Sequence, residues 1–279
     1  MPDARERLIV ALDVPNAPEA RRIVAAIGDS AQIYKVGKQL FTAEGPQVVR
    51  DLRASGRDVF LDLKYHDIPN TVAGAVRQAA QLGVRMLTVH ASGGLKMLKA
   101  AVEAAASVGA DFNPANRVEQ GFSRVEQGFS PADSGGKNKG ALAPEVHSPS
   151  RPLILAVTVL TSLNDEDLQE IGFSGSVADQ ALRLAALART AGCDGVVTSA
   201  REVREIRREL GPGFVIVTPG IRPAGTAQQD QERSATPTEA ITAGASHIVV
   251  GRPITASSDP SAAARRILDE ISAACAVPA

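Results

Sequence analysis

Eight short apolar runs alternate with alanine-rich amphipathic stretches along the 279 residues, and this alternation leaves few folds open. The runs are LIVALDV (8–14), IYKVG (33–37), VFLDLK (59–64), MLTVHA (86–91), LILAVTVL (153–160), GVVTSA (195–200), FVIVTPG (214–220) and HIVVGR (247–252). They are β-branched and nearly continuous, as strands buried on both faces require. Helical periodicity falls near 17–27, 44–54, 70–82, 95–108, 176–191, 201–210, 237–243 and 260–275. Pro69 sits where a first helical turn tolerates proline, and Gly83 and Gly192 lie just past helix ends. Eight strand–helix pairs of this length predict an α/β fold, a (β/α)8 barrel formed as one domain over 1–279. A doubly wound sheet is the alternative, but no GxGxxG follows the first run.

One stretch breaks the rhythm. Residues 111–150 are rich in Asn, Gly, Ser and Pro and contain a tandem repeat, RVEQGFS at 117–123 and again at 124–130. Such composition predicts a disordered insertion between the fourth helix and the fifth strand. That junction belongs to the bottom of a barrel, opposite the end where sites gather, so a binding arm is the weaker reading. The charge balance excludes other classes. With 30 basic and 31 acidic residues the net charge is −1, which predicts neither a nucleic-acid polymer nor an anionic membrane as partner. The lone cysteines Cys193 and Cys275 support neither a disulfide framework nor a zinc site. The apolar run ending before Asp13 is too short for a signal-peptide core, and no window approaches a membrane span. A cytoplasmic protein is the expectation.

Polar residues collect where the runs end. Asp13 ends the first, Lys35 lies in the second, and FLDLKYHDIPNT (60–71) carries Asp62, Lys64 and Asp67. Asp62 and Lys64 are two apart in a strand, so they share a face with Phe60 while Leu61 and Leu63 point away. An unpaired charge facing a barrel centre is very costly. The pair is therefore either a structural ion pair or part of a site. Opposite charges about 4 Å apart interact by roughly 4 kcal/mol at an effective dielectric near 20. Alternating Lys35, Asp62, Lys64 and Asp67 would hold one another charged, with Lys64 kept protonated. A protonated lysine is a poor Schiff-base nucleophile but a good stabiliser and proton donor for a carbanion. At the other side, TPGIRPAGTAQQDQ and VVGRPIT follow the seventh and eighth runs, where barrels commonly bind phosphate. Arg252 offers a fork, Gly251 allows close backbone approach, and residues 219–231 have the composition of a lid.

Taken together, ALDV (11–14), KVGKQLF (35–41), FLDLKYHDIPNT (60–71), VHASGG (89–94), AVTVLTS (156–162), VTPGIRP (217–223) and GRPIT (251–255) resemble the orotidine 5′-phosphate decarboxylase family over nearly the whole chain outside the insertion. The resemblance implies decarboxylation of orotidine 5′-monophosphate to UMP in pyrimidine biosynthesis, with no metal and no organic cofactor. It implies that Lys64 protonates C6 and that Asp62 sits against the substrate carboxylate. Asp13 and Lys35 would contact the ribose, Thr161 the pyrimidine, and Arg222, Gln231, Gly251 and Arg252 the phosphate and lid. Asp67 and Thr71 would reach into a neighbouring subunit's site, making a homodimer with shared sites. Sugar-phosphate enzymes that keep the D-x-K-x-x-D core but use Mg2+ are the rival reading, and the DIPNT continuation and Gln231 favour the nucleotide enzyme. His66, His147 and His247 carry no expected role, and His90 is unassigned.

Overall fold

The computed structural model describes residues 3–111, 151–223 and 235–276. Its strands are β1 (Leu8–Ala11), β2 (Ile33–Gly37), β3 (Asp58–Tyr65), β4 (Met86–His90), β5 (Leu153–Val157), β6 (Gly195–Val197), β7 (Val215–Thr218) and β8 (His247–Val250). They pair in chain order, all parallel, and β8 closes on β1. The helices are α1 (Ala4–Arg7), α2 (Ala17–Ile27), α3 (Lys38–Glu44), α4 (Gln47–Ala54), α5 (Pro69–Gln81) and α6 (Gly94–Asp111). They continue as α7 (Asp165–Glu170), α8 (Val177–Ala191), α9 (Val203–Leu210), α10 (Pro237–Ala243), α11 (Arg252–Thr255) and α12 (Pro260–Ala276). The expected (β/α)8 barrel is the fold.

Local chemistry explains the boundaries. Asn16 caps α2 by accepting the Glu19 N–H at 3.0 Å, Ser176 and Asp179 form a capping box on α8, and Pro69 opens α5. The helix expected over 44–54 starts later, at Gln47, and a further helix, α3, precedes it where none was expected. Gly45 adopts a positive φ of 63°, and Pro46 has no N–H to continue the ladder, so the chain breaks between α3 and α4. Several apolar runs outlast their strands. LILAVTVL leaves the ladder after Val157 and FVIVTPG after Thr218, and the remainders form the C-terminal mouth.

Alternation along the strands makes two cores. Ile9, Ile33, Phe60, Met86, Leu155 and Val217 fill the barrel interior, while Val10, Tyr34, Leu61, Leu87, Ile154 and Ile216 pack outward under the helices. The bottom is tied by charge. Arg53 and Arg85 both pair with the buried Asp58 at the start of β3, Arg85 at 2.9 Å. Arg151 grips Asp194 with two bonds of 2.8 Å at the foot of β5. α6 ends at Asp111 and β5 begins at Leu153, so the insertion falls at the expected junction, and its repeat lies outside the described residues. Among the described residues, no helix is long and apolar enough to cross a membrane.

Candidate active site

The mouth of the barrel opens on a cavity of about 440 Å³. Its charged wall comes from β1, β2 and β3. Lys35 donates to Asp13 Oδ1 at 2.8 Å and stands 3.7 Å from Asp62 Oδ2. Lys64 Nζ donates to both oxygens of Asp62, each at 2.8 Å. The four side chains thus form one alternating chain of charge, Asp13–Lys35–Asp62–Lys64, with only Asp13 well exposed. Burial works to raise the pKa of Asp62. The charges of Lys64 and Lys35, with hydrogen bonds from Lys64 and Thr88, outweigh it and hold the carboxyl below its ordinary value. Gly37 makes room for the contact behind it, because a Cβ there would lie 3.0 Å from Lys35 Nζ and 3.1 Å from Asp13 Oδ1.

Lys64 reaches this position by an unusual route. Its φ is +53°, the one positive value at a non-glycine among the described residues. A left-handed L-residue costs about 1–2 kcal/mol, so something must hold it there. The ladder to β4 shows how the chain bends. Leu61 pairs with Leu87 and Tyr65 with Val89, so Asp62, Leu63 and Lys64 together oppose the single residue Thr88. The Lys64 N–H donates to the Thr88 hydroxyl at 2.9 Å, and that hydroxyl donates to Asp62 Oδ1 at 3.0 Å.

The adjoining wall is built from the loops after β7 and β8. Arg222, Gly251 and Arg252 line it, and Thr161 lines the cavity beyond β5. The Arg222 N–H donates to Ala235 O at 2.9 Å beside a short parallel bridge between Ile221 and Ala235. Between the walls the lining is apolar, with Phe60, Val157, Val197 and Val249. Eight of the expected site residues therefore share one cavity. Asp67 and Thr71 do not line it. Both are exposed, Asp67 accepting the Ile68 N–H at 2.6 Å and Thr71 lying in the first turn of α5. Gln231 lies outside the described residues. His90 is half-buried with its ring 5.4 Å from that of His66. Burial first, then the nearby His66, Lys64 and Lys38, push its pKa down to about 4. Sequence reasoning missed Thr88, although a lone hydroxyl on the inward parity of the apolar run MLTVH was a usable signal.

A cavity of this charge at the C-terminal mouth of a closed barrel defines the class, a barrel enzyme with a small-molecule site. The family described as "Orotidine 5'-phosphate decarboxylase / HUMPS family" matches residues 6–267, and the chain belongs to it. Proteins named orotidine 5'-phosphate decarboxylase from Moorella thermoacetica and Halorhodospira halophila are each 48% identical to it. The first alignment covers 96% of this chain and 93% of the relative, the second 96% and 97%. The crystal structure of orotidine 5'-phosphate decarboxylase from Lactobacillus acidophilus superposes with a TM-score of 0.72 at 37% identity, covering 95% of this chain and 98% of that one.

Proposed function

We propose that this chain decarboxylates orotidine 5′-monophosphate to UMP and CO2, the reaction named in its relatives, with Lys64 as the group that stabilises and protonates C6. The observation that carries the reading is the Lys64 ammonium, seated on the Asp62 carboxylate at 2.8 Å inside the cavity. Breaking the C6–carboxylate bond leaves the electron pair on C6. No ring carbonyl is placed to delocalise it simply, so the barrier must fall mainly by electrostatics. A fixed ammonium held on a buried carboxylate supplies that field without reorganising as charge forms. Its proton then passes from Nζ to C6, and CO2 leaves. Lys35, behind Asp62, keeps the acid ionised and the ammonium aligned. No step requires a metal or organic cofactor.

Each remaining position has a role in this reading. Asp13 and Lys35 bind the ribose hydroxyls, Thr161 the pyrimidine, and Arg222, Gln231, Gly251 and Arg252 serve the phosphate and the lid. Binding energy from the phosphate, far from C6, supports the chemistry. Asp67 and Thr71 complete the site of a second subunit in a homodimer. Their exposure outside their own cavity supports this, as does the neighbouring Ile68, 66% exposed.

The test is an absorbance assay of orotidine 5′-monophosphate loss. The intact chain should turn it over, EDTA should change nothing, and Lys64→Ala should lower kcat by about a thousandfold or more with the circular dichroism spectrum unchanged. No turnover by the intact chain, or a fall of less than tenfold in the variant, overturns the reading. Loss of activity in EDTA overturns its metal independence.

A further inference from the structure

We infer that Thr88 is a positioning residue: its hydroxyl holds the backbone of Lys64 in the left-handed region and so sets the Lys64 ammonium on the Asp62 carboxylate. The role in turnover rests on the function proposed above, whereas the geometry does not. Three residues of β3, Asp62, Leu63 and Lys64, bulge opposite Thr88 alone, which takes the Lys64 N–H out of the regular ladder. In a barrel a backbone donor at that depth needs a partner. It finds the Thr88 Oγ1 at 2.9 Å instead of a β4 carbonyl.

The direction of both bonds is forced. A backbone N–H only donates, so the hydroxyl accepts from Lys64 and has its own proton left for Asp62 Oδ1, 3.0 Å away. Asp62 must then accept, as its ionised form does. One fully buried hydroxyl therefore ties the backbone of the lysine to the carboxylate that receives its side chain. The side chain sits on β4, a strand anchored by ladder pairs to β5 along its whole length, so the tether is rigid. Neither Ser nor Thr is demanded by packing alone here, since valine has the same shape. What valine lacks is the acceptor for Lys64 and the donor for Asp62.

Thr88→Val and Thr88→Ala remove the hydroxyl, and Thr88→Ser keeps it. Ligand-free crystal structures should show Lys64 with a negative φ and its Nζ more than 4 Å from Asp62 in the first two variants, and the parent arrangement in Thr88→Ser. In turnover, a misplacement of about 1 Å is worth up to about a hundredfold, so kcat should fall ten- to hundredfold in Val and Ala with KM within threefold, and Ser should stay within threefold of the parent. A merely structural role predicts lower thermal stability in all three without that split between kcat and KM. Should Val and Ala keep the positive φ and the Lys64–Asp62 contact, or keep parental kcat, the inference is overturned. An intact chain inactive on orotidine 5′-monophosphate overturns the proposed function instead, and the crystal structures still decide the role of Thr88.

Discussion

Single side chains at the mouth owe their charge to what surrounds them, and His90 shows the rule most directly. Its pKa is lowered from 6.5 to about 4, with burial the leading cause and the neighbouring His66, Lys64 and Lys38 adding to it. The folded protein therefore binds a proton at His90 less readily than the unfolded chain does. The neutral imidazole supports folding fully above pH 6.5, and that support is lost as pH falls through about 4. By NMR, the His90 ring resonance, assigned by its loss in His90→Gln, should stay put between pH 8 and 5.5 and move only near 4. A midpoint at 6.5 refutes this. Asp62 behaves in the same direction for the opposite reason, since neighbouring cations favour its charged form over burial. Both shifts keep the two groups in one protonation state across the neutral range.

At the scale of elements, β3 does two jobs at its two ends. Its start carries Asp58, buried and shared by Arg53 and Arg85. Asp58→Ala removes the carboxylate that Arg53 and Arg85 share, and breaking such a buried pair costs about 3–5 kcal/mol, so urea unfolding should show a loss of that order with kcat little changed. Its far end bulges and delivers Lys64. The sequence made the strand and its faces legible but not the bulge. Period-two reading put Asp62 and Lys64 inward with Phe60, and it was right because the bulge preserves parity. Four steps on β3, from Leu61 to Tyr65, match two on β4, from Leu87 to Val89. The left-handed backbone at Lys64 left no mark in the residue types, because lysine is not a residue that signals positive φ. The late start of α4 was legible in retrospect, since Gly45 and Pro46 both stop a helix, whereas α3 before them was not read from the sequence. Arg222, Gly251 and Arg252 were legible because strand ends in a barrel converge whatever lies between them in the chain.

For the whole molecule, the residues left outside the cavity matter as much as those inside. If Asp67 completes a second subunit's site, chains carrying Lys64→Ala and chains carrying Asp67→Ala are each inactive as pure dimers but not when mixed. Half of randomly formed dimers are then hybrids with one intact site of two, so the mixture should recover roughly a quarter of the parent rate. Recovery of none after subunit exchange, checked by mass spectrometry of the hybrids, removes the shared-site arrangement. The barrel also separates its two poles. The charged cavity opens at one, while α6 ends at Asp111 and β5 begins at Leu153 at the other. Because the described residues on either side of the heptads sit at the pole away from Lys64, excising both RVEQGFS copies is expected to leave kcat within threefold of the parent, and the absorbance assay reads the outcome.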